Sequence, residues 1–165
     1  MSSQSAARLR VFLPGQMLEA QNAEGKILAR YQISTAANGA GERMGSEQTP
    51  RGLHVVRARI GAGLPLYSVF VARRPTGELW TPELAAAHPG RDWILTRILW
   101  LSGCEAGFNR LGRVDSMRRY IYIHGSGEDV TLGTPRSHGC IRLGCRDMRE
   151  LFDRTQAGCP VEIIG

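Results

Sequence analysis

The residues of this chain whose types and spacing could do chemistry are His124 and Cys140. His124 follows the apolar, β-branched run Tyr122-Ile123, and Cys140 lies in the downstream segment Ser137-His-Gly-Cys-Ile-Arg-Leu143. A thiol becomes an effective nucleophile when a neighbour accepts its proton, and imidazole is the usual partner. The pair therefore predicts a cysteine acyl-transfer site, with Cys140 as nucleophile and His124 as base. The alternative interpretation is a buried structural thiol and a histidine that only packs.

The residues before His124 predict how its ring is held. Arg119–Ile123 alternates and is rich in aromatic and β-branched side chains, which is typical of a strand. His124 is then expected at the strand end, a rigid position from which a side chain can be aimed. Gly125 leaves space around the ring, so a nearby backbone carbonyl can accept a hydrogen bond from Nδ1–H and fix the tautomer.

The turn around Cys140 predicts where a developing negative charge is stabilised. Gly139 allows the backbone to turn sharply and leaves room for a substrate carbonyl. The backbone amides of His138, Gly139 and Cys140 are candidates for an oxyanion hole, in which one donor contributes roughly 3–4 kcal/mol.

Other residues beside the pair are candidates for binding a substrate. The planar fork of Arg142 suits a carboxylate, although a structural arginine is an open alternative. Ser137 either contacts substrate or supports the turn, and Tyr122 either lines the pocket or packs. Gly125 completes the expected substrate contacts. The ring of His138 is expected to shape the turn or line the pocket rather than to act as the base.

Three segments together resemble one protein family. His124-Gly125 and Ser137–Leu143 resemble the signature of the L,D-transpeptidase catalytic domain of the YkuD type. Thr49-Pro-Arg-Gly52 resembles the upstream Thr-Pro-x-Gly turn of that family, and Cys159–Ile163 resembles its closing strand. The resemblance spans about residues 9–164. Some members carry a hydroxyl residue directly after the catalytic histidine, where this chain has Gly125.

The resemblance implies a mainly β, single-domain fold, sandwich- or barrel-like, with one C-terminal helix after the cysteine turn. It also implies that Cys140 attacks a peptidoglycan stem peptide between the L-centre of its diamino acid and the following D-Ala. The acyl group then passes to an amine or to water. By position, Cys140 is the nucleophile, His124 the base and Arg142 a substrate-orienting or turn-stabilising cation. No cofactor and no metal are expected.

The length and net charge of the chain indicate how many domains it forms and which partners it binds. A chain of 165 residues is long enough for one core, so we expect one catalytic domain over 8–165 after a disordered tail over 1–7. The net charge is +6, but the arginines are scattered and no nucleic-acid motif accompanies them. We expect stem peptides or muropeptides as partners, no nucleic acid, no membrane and a monomer. The pair Arg73-Arg74 either meets substrate carboxylates or forms a solvated corner.

The cysteines and the N-terminal sequence indicate the cellular compartment in which the protein is expected. Cys104, Cys140, Cys145 and Cys159 include no Cys-x-x-Cys pair, which argues against a zinc ribbon, and a domain of this size needs no disulfides. Cys145 is expected to be a small buried residue that begins the helix, or else a resolving thiol. No apolar stretch is long enough for a signal peptide or a span, so we expect a cytoplasmic protein unless a leader has been removed.

Several functions remain open at this point. With a cytoplasmic location, water is the expected acceptor, which makes the protein an L,D-carboxypeptidase of recycled muropeptides. The alternatives are an exported L,D-transpeptidase, a sortase-like enzyme and an inactive peptidoglycan-binding module. A sortase is disfavoured because its cysteine follows Thr-Leu-x-Thr rather than Ser-His-Gly, and a module because binding needs neither His124 nor Cys140.

The period of the sequence is mostly two, which predicts strands. The ranges predicted as strands are 10–13, 17–20, 26–34, 53–60, 67–72 and 93–101. Residues 73–92 are predicted to be a loop with one helical turn at 83–87. The one long helix is predicted from the spacing of Met148, Leu151, Phe152 and Thr155.

Overall fold

The computed structural model describes residues 4–165 and is mainly β. Its strands and helices, in chain order, are β1 Arg8–Phe12, β2 Met17–Gln21, β3 Ile27–Gln32, β4 Gly52–Ile60, β5 Ser68–Val71, β6 Arg74–Leu79, α1 Pro82–Ala87, β7 Ile94–Gly103, β8 Tyr122–Ser126, β9 Ile141–Gly144, α2 Cys145–Arg154 and β10 Pro160–Ile164. The mainly β class with one main helix agrees with the expectation from the sequence.

All ten strands belong to one sheet that curls back on itself. The order β3-β2-β1-β10-β4-β7 runs across it, and the far edge of β7 pairs with both β5 and β8. Two pairings are parallel, β1 with β10 and β8 with β9. Beyond β3 the chain is bridged to β9 at Ser34–Arg142 and to the cysteine turn at Ala36–Ser137, so the curl joins the first strands to the turn that carries Cys140.

The main core lies between this sheet and α2. Leu9, Leu18, Leu101 and Ile123 are fully buried there and pack with the apolar face of α2. Strand side chains alternate between two faces, so Ile123 faces this core while its neighbours Tyr122 and His124 face the opposite way. Strand β8 thus fixes the histidine by burying the residue before it.

Most strands predicted from the sequence are confirmed to within one or two residues. Two predictions around the site are wrong. Residues 74–79, predicted as loop, form β6. His124 does not end its strand, because β8 begins at Tyr122 and continues to Ser126 while 119–121 form a turn. Strand β9, which the sequence does not predict, separates the cysteine turn from α2, and Cys145 is buried at the start of α2 as predicted.

The N-terminal segment predicted as a tail lies partly outside the described residues, which start at residue 4. The amide of Ala6 donates to the Arg154 carbonyl and that of Ala7 to the Gln21 carbonyl. Ala6 is also buried, so the chain is anchored to the sheet from that residue onward. Within residues 4–165, no helix has the length and apolar character needed to cross a membrane.

Candidate active site

His124 lies in the middle of β8 and is 1% exposed. Its Nδ1 is 2.7 Å from the carbonyl oxygen of Gly125. A carbonyl oxygen can only accept, so Nδ1 carries the hydrogen and Nε2 keeps its lone pair. Nε2 has no hydrogen-bond partner among the described residues. The backbone carbonyl therefore orients the ring and leaves an unprotonated nitrogen available as a base.

Burial keeps this imidazole neutral. It lowers the pKa of His124, and the nearby Arg142 lowers it further, while the Gly125 hydrogen bond and the charge of Asp92 oppose the shift. A buried neutral imidazole is poised to accept a proton rather than to hold one already.

Cys140 lies in the turn just before β9 and is half-buried. Its sulfur is 3.4 Å from the Tyr120 carbonyl, to which the thiol donates, and 3.4 Å from the Tyr122 amide, which donates to it. Burial raises the pKa of Cys140 to about 12; the Tyr122 hydrogen bond, Arg142 and Arg119 act in the opposite direction. The thiol is therefore protonated at neutral pH in this state.

The sulfur and the imidazole lie on the same face of the sheet. Cys140 packs in the apolar cluster that contains Tyr122, and Tyr122 and His124 alternate to that face of β8. Both groups are also influenced by the same charges, Asp92 and Arg142. No hydrogen bond joins them within residues 4–165. The site holds a neutral thiol and a neutral imidazole on one face of the sheet, so proton transfer must accompany attack on a substrate.

The cysteine turn is held by hydrogen bonds from distant parts of the chain. The hydroxyl of Thr49 donates to the Gly139 carbonyl at 3.0 Å and accepts from the Ala36 amide at 3.0 Å. Gly139 has φ +134°, a conformation that side chains disfavour, and a Cβ there would lie 3.3 Å from the Gln48 carbonyl. The Thr49 motif and the Gly139 turn, found separately in the sequence, thus form one scaffold.

Ser137 supports this turn rather than facing a substrate. Its hydroxyl donates to the Cys140 carbonyl at 2.6 Å and accepts from the Gly139 amide at 3.2 Å, and the residue is 2% exposed. The structure therefore favours turn support, one of the two alternatives for Ser137. It also removes the Gly139 amide from the predicted oxyanion hole. The amides of His138 and Cys140 have no acceptor among the described residues, so these two remain as donors.

Gly125 also has a structural role. It is buried, and a Cβ at this position would lie 2.8 Å from the Leu95 carbonyl and 2.5 Å from Oγ1 of Thr96. Thr96 lies where β7 shifts register against β8 and has φ +75°. The predicted substrate contact of Gly125 stays a prediction. A hydroxyl side chain has no space here, and its carbonyl is the partner of His124.

The remaining predicted residues divide between binding and support. Tyr122 is 4% exposed, and its backbone amide donates a hydrogen bond to the Cys140 sulfur. Its contribution to the site therefore comes from the backbone, because its ring presents little surface to a substrate. His138 is exposed and borders a cavity of about 210 Å³ that Arg119 also lines. The guanidinium of Arg142 already has a carboxylate partner, because its Nη2 donates to Asp92 at 2.9 Å.

The sequence interpretation missed Asp92 and Arg119. Asp92 follows a loop that carries no motif, and its partner Arg142 is distant in sequence. Arg119 was assigned to a strand; instead its guanidinium donates to the Gln48 and Gly41 carbonyls behind Gly139. Across the described residues no group of His, Cys, Asp and Glu side chains is arranged to hold a metal ion.

The fold and this thiol–imidazole arrangement define a class of acyl-transfer site on a curled β-sheet, and comparison with known proteins gives the family. The model of the L,D-transpeptidase catalytic domain, YkuD, matches residues 6–163. The chain therefore belongs to the L,D-transpeptidase catalytic domain family. No curated protein matches it.

Solved structures of the same fold are distant in sequence. An L,D-transpeptidase from Xylanimonas cellulosilytica is 19% identical with a TM-score of 0.55, over 98% of this chain and 61% of that one. A cysteine-to-serine variant of the Enterococcus faecium L,D-transpeptidase is 16% identical with a TM-score of 0.57, over 98% and 50%. L,D-transpeptidase 3 from Mycobacterium tuberculosis, in complex with a faropenem-derived adduct, is 12% identical with a TM-score of 0.57, over 95% and 59%. This chain thus spans about half to three-fifths of the structures it resembles.

Proposed function

We propose that this protein is a cysteine acyltransferase that acts on peptidoglycan stem tetrapeptides. It cleaves the bond between the L-centre of the diamino acid and D-Ala and, with water as acceptor, is an L,D-carboxypeptidase. The observation that carries the proposal is the lone pair on Nε2 of His124, fixed by the Gly125 carbonyl on the same face as the Cys140 thiol.

The geometry supports the following course of reaction. As Sγ of Cys140 attacks the substrate carbonyl carbon, its proton passes to Nε2 of His124. The carbonyl oxygen becomes an oxyanion, which the free amides of Cys140 and His138 stabilise. When the carbon–nitrogen bond breaks, His124 returns the proton to the departing amine of D-Ala, which leaves a thioester on Cys140.

Hydrolysis of the thioester uses the same groups. His124 takes a proton from the attacking water, the new oxyanion uses the same two amides, and the sulfur leaves and recovers a proton. The tripeptide is released. No group outside this chain, the peptide and water is needed to balance either half of the reaction.

The charges around the thiol favour water over an amine as acceptor. Arg142 and Arg119 both act on Cys140, and the carboxylate of Asp92, which also acts on it, is paired with Arg142. An acceptor amine arrives as an ammonium at neutral pH, and a cationic site repels it. Water carries no such cost. The four cysteines are free thiols, which supports work in a reducing compartment such as the cytoplasm.

The test is incubation of the protein with a disaccharide tetrapeptide, with and without an excess of a D-amino acid. Release of D-Ala and tripeptide in both reactions supports the proposal. Formation of a dimer or an exchanged tetrapeptide would overturn water as acceptor in favour of the alternative L,D-transpeptidase. No reaction at all would favour a peptidoglycan-binding module.

Variants of two cysteines sharpen this test. We expect Cys140→Ala to abolish D-Ala release while its thermal unfolding stays near that of the wild type. Cys104→Ala is the matched control, because Cys104 is an exposed free thiol, and should keep full activity. Equal activity of the two variants would remove Cys140 as the nucleophile.

A β-lactam gives an independent check of the nucleophile. One L,D-transpeptidase of similar fold has been solved in complex with imipenem. We expect a carbapenem to acylate Cys140, which intact-mass spectrometry detects as an adduct that is absent in Cys140→Ala.

A further inference from the structure

Arg73 occupies an unusual backbone position close to the candidate site. It forms, with Ala72, the two-residue turn between β5 and β6, which the pair Val71–Arg74 closes. Both turn residues have positive φ, +49° for Ala72 and +64° for Arg73. Such turns normally use Asn or Gly, because other side chains disfavour this conformation. Because the backbone conformation does not favour arginine at this position, contacts of its side chain must stabilise it there.

The guanidinium of Arg73 is held by three aromatic side chains. Its Nη1 donates to the hydroxyl of Tyr122 at 2.9 Å. Its Cζ lies 4.7 Å from the ring centre of Trp100 and 5.0 Å from that of Tyr120. Cation–π contacts and a hydrogen bond therefore fix the planar fork in one orientation.

Arg73 has no carboxylate partner within residues 4–165, in contrast to Arg142. The fork of Arg142 is occupied by Asp92, and Arg91 on the neighbouring segment is paired with Glu78. The guanidinium of Arg119 donates its hydrogen bonds to backbone carbonyls. A fixed, uncompensated guanidinium is a ready site for a carboxylate, which it can bind through two parallel hydrogen bonds.

The residues that hold Arg73 are the same ones that hold the nucleophile. The Tyr122 amide and the Tyr120 carbonyl are the two hydrogen-bond partners of the Cys140 sulfur. Trp100 and Tyr122 also pack in one apolar cluster with Cys140. The fork and the sulfur are thus neighbours across two tyrosines, and an anionic group close to the bond under attack falls within reach of Arg73.

We propose that Arg73 is a specificity-determining residue that binds a carboxylate of the stem peptide cleaved at Cys140. This inference rests on the proposed function. A tetrapeptide offers two such groups near the scissile bond, the α-carboxylate of D-Ala and the side-chain carboxylate of a diaminopimelate-type third residue. Both present the same chemistry to the guanidinium, and the experiment separates them.

The experiment measures kcat/KM for D-Ala or D-alaninamide release from three tetrapeptides. The first has diaminopimelate and a free C-terminus, the second ends in D-alaninamide, and the third has L-lysine in place of diaminopimelate. The variants are Arg73→Met, Arg73→Lys and the matched control Arg74→Met. Arg74 is exposed on the same hairpin, so the control removes the same charge without touching the aromatic clamp.

We expect Arg73→Met to lower kcat/KM on the first peptide by about 10- to 100-fold, the range for a charge-assisted hydrogen bond, with most of the change in KM. Arg73→Lys should recover part of the loss, and Arg74→Met should stay within about twofold of wild type. The wild type should cleave one of the two modified peptides 10- to 100-fold more slowly, and on that peptide Arg73→Met should cause no further loss. That peptide identifies the carboxylate.

Other outcomes would overturn the inference. If Arg73→Met loses activity equally on all three peptides, or no more than Arg74→Met does, Arg73 recognises neither of these two carboxylates and the inference fails. If the wild type releases no product from any of the three peptides, the proposed function fails first and this inference with it. A melting temperature of Arg73→Met near that of the wild type shows that a loss of activity does not come from unfolding.

Discussion

The two faces of strand β8 differ in how their polar and apolar atoms are satisfied. On one face, Ile123 is fully buried among apolar side chains of the main core. On the other, His124 and Ser126 are almost as deeply buried, yet Nε2 of the histidine and Oγ of the serine have no hydrogen-bond partner among the described residues. An unpartnered buried polar atom costs stability. The apolar face offsets that cost, and the opposite face keeps a base free for chemistry.

The largest effect is expected from changing the unpartnered nitrogen. His124→Gln keeps a similar volume on β8 but removes the base, and general-base catalysis contributes about 10²- to 10⁴-fold. We expect kcat/KM for D-Ala release to fall by that factor, while the melting temperature changes little. Calorimetry and the release assay measure the two quantities. A variant that keeps its activity would show that another group accepts the proton.

The protonation state of the pair gives the next largest effect. Burial raises the pKa of Cys140 to about 12. At pH values below its pKa, the thiolate fraction increases about tenfold for each unit by which the pH is raised. Its alkylation by iodoacetamide should therefore accelerate steadily from pH 7 to about pH 10, by roughly tenfold per unit and without a plateau.

Peptide mass spectrometry follows each cysteine separately, and the exposed Cys104 provides a reference within the same molecule. A rate for Cys140 that is already high and flat near pH 7 would contradict the neutral pair. It would indicate a thiolate next to a protonated imidazole.

The smallest effect is expected on the apolar face. Ile123→Val removes one buried methylene group and should lower the free energy of unfolding by about 0.5–1.5 kcal/mol. Because the side chain points away from His124, kcat for D-Ala release should stay within about twofold of wild type. Denaturant unfolding and the release assay test both. A large loss of kcat would show that the two faces are coupled through the backbone of β8.

The sequence predicts the apolar face better than the site. Alternation predicts β1 to β4, because half-buried strands repeat with a period of two, and a continuous apolar run predicts the buried strand β7. The pattern does not predict β6, since Pro75 and Gly77 look like a loop and the Ala72-Arg73 turn lacks the usual Asn-Gly signal.

Within the site, the local motifs were informative and the long-range partners were not. Cys140, His124 and the carbonyl partner of Nδ1 follow from residue type and order. Asp92 and the clamp on Arg73 do not, because they depend on which strands meet when the sheet curls. The supporting roles of Ser137 and Gly125 also required knowledge of what surrounds them, since serine and glycine suit both binding and structure.

The hydrogen bonds that join the cysteine turn to early parts of the chain have a consequence for biosynthesis. Ser34 donates to the Thr134 carbonyl across 100 residues, and Thr49 donates to the Gly139 carbonyl across 90. Contacts this remote in sequence form late, because closing such long loops costs entropy before any contact compensates for it. A nascent chain emerging from the ribosome therefore carries Cys140 as an ordinary thiol. The nucleophile acquires its setting only when residues 134–140 have been translated and have met residues 34–49.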